Sequence, residues 1–291
     1  LPALAAGEVC STEFLCWLHE GFSRRLPEEF RKVEDEKGKV HENQPGKLRQ
    51  SEVSVGRHMA PSSKKLGEFL KRFAEFYGQV VTTEPGSLIA AAAAHHRLTW
   101  IHPFLDGNGR VARLFTHAWF VKASVDSDGL WTISRGLARR KADYHAALAN
   151  ADEKRVNDID GRGYLSERYL REFVQFFLGT ATDQVEFMQE LLALDGMLNR
   201  IAGYAERREF ATELPHGSAL VLREIFIRGE LARGEVSRII GASPRTAQKV
   251  TGELLAQRLI TSGSPKGPLR LGFPADAAGH YFPNLYPAGA D

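Results

Sequence analysis

Nine consecutive residues, His102-Pro103-Phe104-Leu105-Asp106-Gly107-Asn108-Gly109-Arg110, constrain this chain more than any other stretch. They separate two segments of helical character. Ser87 to Trp100 is alanine-rich and apolar, which predicts a buried central helix, and Val111 to Val121 predicts a second. Gly107 and Gly109 flank Asn108 where the loop enters that second helix. A glycine turn at a helix N-terminus aims backbone N–H groups inward and adds a partial positive charge, so it forms a nest for phosphate oxygens. Arg110 and Arg113, three apart, bring two guanidinium forks to the same helix end, and the Asn108 amide is a further donor. The set suits a polyphosphate.

Two neighbours add chemistry. Asp106 stands just ahead of the nest. A carboxylate beside phosphates is repelled unless a divalent cation bridges them, and Mg²⁺ needs few protein ligands when phosphates supply the rest, so Asp106 is assigned to Mg²⁺. His102 has the unperturbed pKa of a base that accepts a hydroxyl proton near neutral pH. Phe104 reads as a packing anchor.

The rest of the first 210 residues is mostly helical in pattern. Phe14, Leu15, Trp17, Leu18 and Phe22 share one face, and Leu66, Phe69, Leu70, Phe73, Phe76 and Tyr77 form a stripe ending at Gly78. Ser134 is placed to cap a helix carrying Leu137, Tyr144 and Leu148. Tyr169, Phe173, Phe176, Phe177 and Leu178 continue the pattern, and a long helix runs from about Asp183 to Arg208. Lys32 to Gln44 is charged and polar and reads as loop. Gly46 to Gly56 alternates imperfectly at Leu48, Val53 and Val55, which suggests a short hairpin bounded by glycines. His95 and His96 lack metal-spaced partners and read as packed or hydrogen-bonded.

Past a linker at 211–216 the rhythm changes. Two short apolar patterns, a Gly241-Ala242-Ser243-Pro244 turn and a third helix to about Gln257 precede strands at Leu259–Thr261 and Leu269–Leu271. Three helices and a hairpin over 217–291 resemble a winged helix-turn-helix. Arg245, Thr246, Gln248 and Lys249, with Lys266 in the wing, suit a DNA major groove through 235–270, or a dimer or substrate-docking role. That part carries nine Lys/Arg against six Asp/Glu, a net of +3, within a whole chain of 291 residues at +2. Cys10 and Cys16 are the only cysteines and are expected as reduced thiols. No apolar run approaches the ~20 residues of a bilayer span and no signal peptide is visible, so a cytoplasmic protein without a membrane partner is expected.

The stretch His102 to Arg113 is similar to the signature of Fic-domain proteins at every defining position, and the likeness extends more weakly from about Phe14 to Phe177. The resemblance implies a mainly α fold. A Fic-type helical bundle with a small β-hairpin flap fills 1–210, with its core at about 14–180, and the winged helix follows. It also implies a nucleotidyltransferase that moves AMP from ATP to a Ser, Thr or Tyr hydroxyl of a target protein. Carried over by position, His102 is the general base, Asp106 the Mg²⁺ ligand, Gly107, Asn108 and Gly109 the holders of the α- and β-phosphates, Arg110 the binder of the outer phosphates and Arg113 its support. The flap, at Arg49, Gln50, Ser51, Glu52 and Val53, would take the target segment as an added strand. Tyr144 falls where relatives have a tyrosine, and either packs on adenine or belongs to the core. Self-modification and a homodimer are also implied.

Many Fic proteins carry an inhibitory helix with Ser or Thr, three residues, Glu, then Gly or Asn. Here Glu42-Asn43 has Gly38 in the Ser/Thr place, and the expectation is that an inhibitory segment ahead of Leu1 has been removed or lost. The competing reading is a DNA-binding regulator whose Fic core binds nucleotide without transfer.

Overall fold

The computed structural model describes residues 4–34, 40–56, 58–125, 131–191, 196–283 and 285. Contacts divide the chain into two units, Leu1–Glu186 and Phe187–Asp291.

In the first unit, α1 (Thr12–Ser23) starts where Ser11 Oγ accepts the Phe14 N–H at 3.1 Å, which satisfies one of the donors a helix start leaves over. Next comes α2 (Leu66–Gly78), which buries Leu66, Leu70, Phe73 and Tyr77. Phe76 is 64% exposed, so the buried stripe is narrower than the sequence suggested. The expected central helix is α3 (Gly86–Ile101), and α4 (Asn108–Lys122) packs against it. Trp119 Nε1 donates to Ser87 Oγ at 2.9 Å and ties the two together. Phe73 and Phe115 meet with ring centroids 5.5 Å apart, and Phe115 meets Trp119 edge-on. Then follow α5 (Ile133–Arg139), α6 (Lys141–Ala151) and α7 (Glu167–Leu191), whose buried Phe173 and Phe177 close the core over His95. Thr132, not Ser134, caps α5, because its hydroxyl accepts the Ser134 N–H.

Two short antiparallel hairpins lie between α1 and α2. β1 (Lys32–Glu34) pairs with β2 (Val40–Glu42), placing Val33 opposite His41. This segment reads as loop in sequence because its side chains are charged and solvated, which erases the period-two signal. β3 (Ser54–Val55) pairs with β4 (His58–Met59). The expected hairpin at 46–56 is therefore displaced: Gly46 to Val53 lies outside any strand, and the ladder starts at Ser54.

In the second unit, α8 (Met197–Phe210) begins after Gly196, which has φ +74°. That left-handed residue breaks the long helix expected from Asp183 to Arg208. α9 (Ser218–Arg228), β5 (Glu230–Leu231), α10 (Val236–Ile240), α11 (Pro244–Ala256), β6 (Ile260–Thr261), β7 (Leu269–Leu271) and α12 (Ala275–Tyr281) follow. The strands form one antiparallel sheet in the order β5-β7-β6. Ser243 caps α11 by accepting the Thr246 N–H, with Pro244 in its first turn. Met197, Ile201, Tyr204 and Ala205 of α8 share a core with Val221, Leu222 and Ile225 of α9. The second unit by contacts starts at Phe187 and includes α8, which buries its apolar face with α9.

Candidate functional site

α3 stops at Ile101 because His102 adopts the left-handed conformation, φ +52°, which is uncommon for a residue with a Cβ. Two bonds hold it there. Its backbone N–H donates to Leu98 O at 3.1 Å, and its ring Nδ1–H donates to Thr99 O at 3.1 Å. The second bond fixes the tautomer and leaves the Nε2 lone pair as the acceptor. Burial pushes the His102 pKa down to about 4, with a smaller upward pull from the Thr99 carbonyl and downward pushes from Arg49 and His58. The imidazole is neutral at pH 7.

The loop beyond is held from inside. Phe104 is fully buried and stacks on His19, with centroids 4.1 Å apart and rings 3° from parallel. His19 Nδ1 accepts the Gly46 N–H at 2.8 Å while its Nε2–H donates to Asp106 O at 3.1 Å. One buried imidazole therefore joins α1, the start of the flap region and the motif loop. The Asn108 side chain was expected to donate to a phosphate. Instead its Oδ1 accepts the Phe104 N–H at 2.9 Å and its Nδ2 donates to Phe104 O at 2.8 Å, so this 4%-exposed amide braces the loop.

Gly107 caps α4 at φ +81°, and a Cβ there would lie 2.5 Å from Phe22 Cζ. No other residue fits without displacing that ring. The N–H groups of Asn108, Gly109 and Arg110 occupy the first turn of α4, where no intrahelical carbonyl is available. Arg110 Nη2 lies 3.5 Å from Asp106 Oδ2, its Cζ sits 5.2 Å above the Phe22 ring, and its Nη1 is buried with no hydrogen-bond partner. An unmatched buried cationic donor is costly and is relieved by an anion.

Burial raises the Tyr144 pKa to about 12, against a smaller downward pull from the nearby Arg113 guanidinium. Thr116 O–H donates to Ala112 O at 2.9 Å, so its oxygen must accept from His95 Nδ1–H at 2.7 Å. His95 Nε2 then accepts the Tyr144 O–H at 2.7 Å. The chain of donors uses the Tyr144 proton on His95 and leaves the phenol oxygen able to accept. Tyr144 is 4% exposed, so of its two readings the core one describes its position. Burial, with Arg113 and His96 adding to it, lowers the His95 pKa to about 3, which keeps it neutral in this role.

Of the flap residues, Arg49 and Glu52 are turned toward their own chain. Arg49 is 5% exposed and donates only to backbone carbonyls at hydrogen-bond distance. Glu52 Oε1 accepts from Ser62 Oγ, Ser63 N and Ser63 Oγ at 3.0–3.2 Å, which lowers its pKa. Gln50 and Ser51 are exposed, and Val53 is half-buried. A cleft of about 750 Å³ opens between Leu105 and the stretch from His41 to Ser51.

A metal fits here only through one protein ligand. Among the described residues no three His, Cys, Asp or Glu side chains gather to hold an ion. Asp106 offers a half-exposed carboxylate beside Arg110, whose Nη1 alone is unmatched, which suits Mg²⁺ that arrives with phosphate and water completing its shell.

Residues 10–120 match the model of the Fic/DOC family. This stretch of the chain is similar to Fic domains. The matched span contains His102, Asp106 and the turn from Gly107 through Arg113, as well as the flap, and ends before Tyr144. The protein adenylyltransferase Fic of Drosophila willistoni is 34% identical over 86 residues, 30% of this chain and 17% of that protein. Its counterpart in Drosophila grimshawi is equally identical, covering 18% of its length. The match thus spans under a fifth of these curated relatives. A Fic family protein from Desulfovibrio desulfuricans aligns at 20% identity and a TM-score of 0.46, covering 90% of this chain and 69% of that one. A Fic domain containing signaling protein from Bacteroides thetaiotaomicron aligns at 20% identity and 0.37, covering 63% and 69%.

His19 belongs to this site but not to the motif. It was detectable only as a polar residue on the apolar face of α1, three or four residues from Leu15 and Phe22.

Proposed function

We propose that the Fic domain is a protein adenylyltransferase, moving AMP from ATP to a side-chain hydroxyl of a protein and releasing pyrophosphate. The observation that carries the reading is the His102 ring: Nδ1 is spent on Thr99 O, while Nε2 has no partner among the described residues and is unprotonated at neutral pH. The target hydroxyl gives its proton to Nε2, its oxygen bonds the α-phosphorus, and the bond from that phosphorus to the bridging oxygen breaks with pyrophosphate leaving. The first-turn amides of α4 and the unmatched Arg110 Nη1 would hold phosphate oxygens, and Arg113, one turn further along α4, would add a second cation. Asp106 would hold Mg²⁺ brought with the nucleotide, which neutralises phosphate charge when bound. Triphosphate charge near the imidazole raises its pKa, strengthening the base once substrate is in place. Exposed Gln50 and Ser51 border the cleft and would meet the target segment, with Arg49, Glu52 and Val53 supporting them.

The test is incubation of the full chain and a cell lysate with ATP carrying label on the α- or the γ-phosphate. Label from the α position is expected on protein, including this chain itself, with none from γ. Nucleotide binding without α-label transfer overturns the reading in favour of a nucleotide sensor.

For the second unit we infer a winged helix that meets DNA, supported by exposed Arg245, Thr246, Gln248 and Lys249 on α11, opposite the buried Ala247, Val250 and Leu254. Duplex DNA binding that weakens steeply with salt, and more than tenfold in Arg245→Ala/Lys249→Ala, is the expected result. Absence of binding at low salt leaves this unit a protein-docking module. No helix among the described residues is long and apolar enough to cross a membrane.

A further inference from the structure

Five consecutive carbonyls where α3 ends each accept a defined donor. Thr99 O accepts from His102 Nδ1 at 3.1 Å and Trp100 O from His58 Nε2–H at 2.8 Å. Ile101 O and His102 O accept from the Arg49 guanidinium at 3.5 and 2.7 Å, and Pro103 O accepts from the Arg49 backbone N–H at 3.0 Å. A helix end leaves such carbonyls without intrahelical donors. Apart from His102 itself, every donor here belongs to the flap region, between Arg49 and His58.

The same guanidinium also binds the flap. Its Nη1 donates to Ser51 O at 2.8 Å and its Nη2 to Pro61 O. The Arg49 side chain has no solvent exposure, and the nearest carboxylate, Glu52, reaches only 4.0 Å. A charge buried among neutral carbonyls is expensive, so its placement serves geometry more than stability. The planar fork of an arginine spans carbonyls on both sides at once, which a lysine ammonium does not reproduce.

We propose that Arg49 is a positioning residue for His102, locking the flap and the base-bearing turn into one piece so that a hydroxyl docked at the flap is set against Nε2. The groups that face His102 are Arg49 from the flap, His58 from β4 and Asp106 from the motif loop. Removing Arg49 takes away a cation that lowers the His102 pKa and loosens the burial that lowers it most, so the titration should rise.

The proposal rests on the transfer reading only for its kinetic arm. The test uses the full chain as wild type, Arg49→Gln and Arg49→Lys. Nitrogen NMR of the histidine rings, with the His102 signal assigned by its loss in His102→Gln, reads tautomer and titration. Wild type should show the proton on Nδ1 and titrate near pH 4. Arg49→Gln should give mixed tautomers and titrate about one pH unit higher or more. In α-label transfer, kcat should fall about tenfold or more in both variants, with KM for ATP within about twofold. Arg49→Lys keeps the charge, so its titration should move less than that of Arg49→Gln while its tautomers still mix. Should Arg49→Gln not fold, the tautomer ratio of Arg49→Lys decides. Folded variants with unchanged His102 tautomer and titration overturn the proposal. A wild type that transfers no label sinks the transfer reading alone, since the NMR arm does not depend on turnover.

Discussion

Replacing His102 with Asn should lower α-label transfer by at least about 100-fold while leaving ATP affinity within about threefold. The two effects separate because His102 is not part of the proposed phosphate nest, whose amides belong to α4 and whose guanidiniums are those of Arg110 and Arg113. Asn is the better variant than Ala, since position 102 sits at φ +52° and Asn tolerates that region. Asn also retains a side-chain donor for Thr99 O but offers no basic nitrogen. Titration calorimetry with ATP, beside the labelling assay, gives both quantities. A parallel loss of binding and transfer would mean that His102 shapes the nest rather than acting as a base.

Gly107→Ala should damage nucleotide binding and stability together. The substitution puts a Cβ on a left-handed residue, at a cost of about 1–2 kcal/mol, and pushes it to 2.5 Å from Phe22 Cζ. The ring must move, and Arg110 stacks over that ring at 5.2 Å. We expect KM for ATP to rise about tenfold and the first unit to lose about 2 kcal/mol in urea unfolding. Adding Phe22→Leu should recover part of the loss in stability, because it removes the obstruction but not the backbone strain. Gly109→Ala is the contrast: its φ is ordinary and its Cβ would meet only Arg113 Nη1 at 3.4 Å, so the fold should lose less than about 1 kcal/mol. Equal damage from both glycines would show that the account of Gly107 is wrong.

Features set by local rules are legible in the amino-acid sequence. Ser11 and the Ser243-Pro244 pair announce helix starts because side-chain capping needs only three residues of context, and the α3 and α4 segments follow from their apolar pattern. Features set by distant partners are not. Asn108 looks like a phosphate donor until Phe104 is seen to occupy both ends of its amide. Tyr144 could not be assigned from sequence because its fate depends on His95, 49 residues away. Arg49 reads in sequence as one of the flap residues that meet a target segment, and only the folded turn reveals the carbonyls that bury it. His19 carried almost no signal, since a histidine on an apolar face is ambiguous until Phe104 and Gly46 are beside it. The helix break at Gly196 was missed because a lone glycine is tolerated inside a helical pattern.

The most direct test of the central claim is a crystal structure of the chain with ATP and Mg²⁺ bound. The triphosphate should lie on the N–H groups of Asn108, Gly109 and Arg110, with Arg110 Nη1 on a phosphate oxygen and His102 Nε2 open toward the α-phosphorus. A triphosphate bound away from the Gly107 turn, or a His102 ring whose Nε2 is taken by a protein donor, would contradict it.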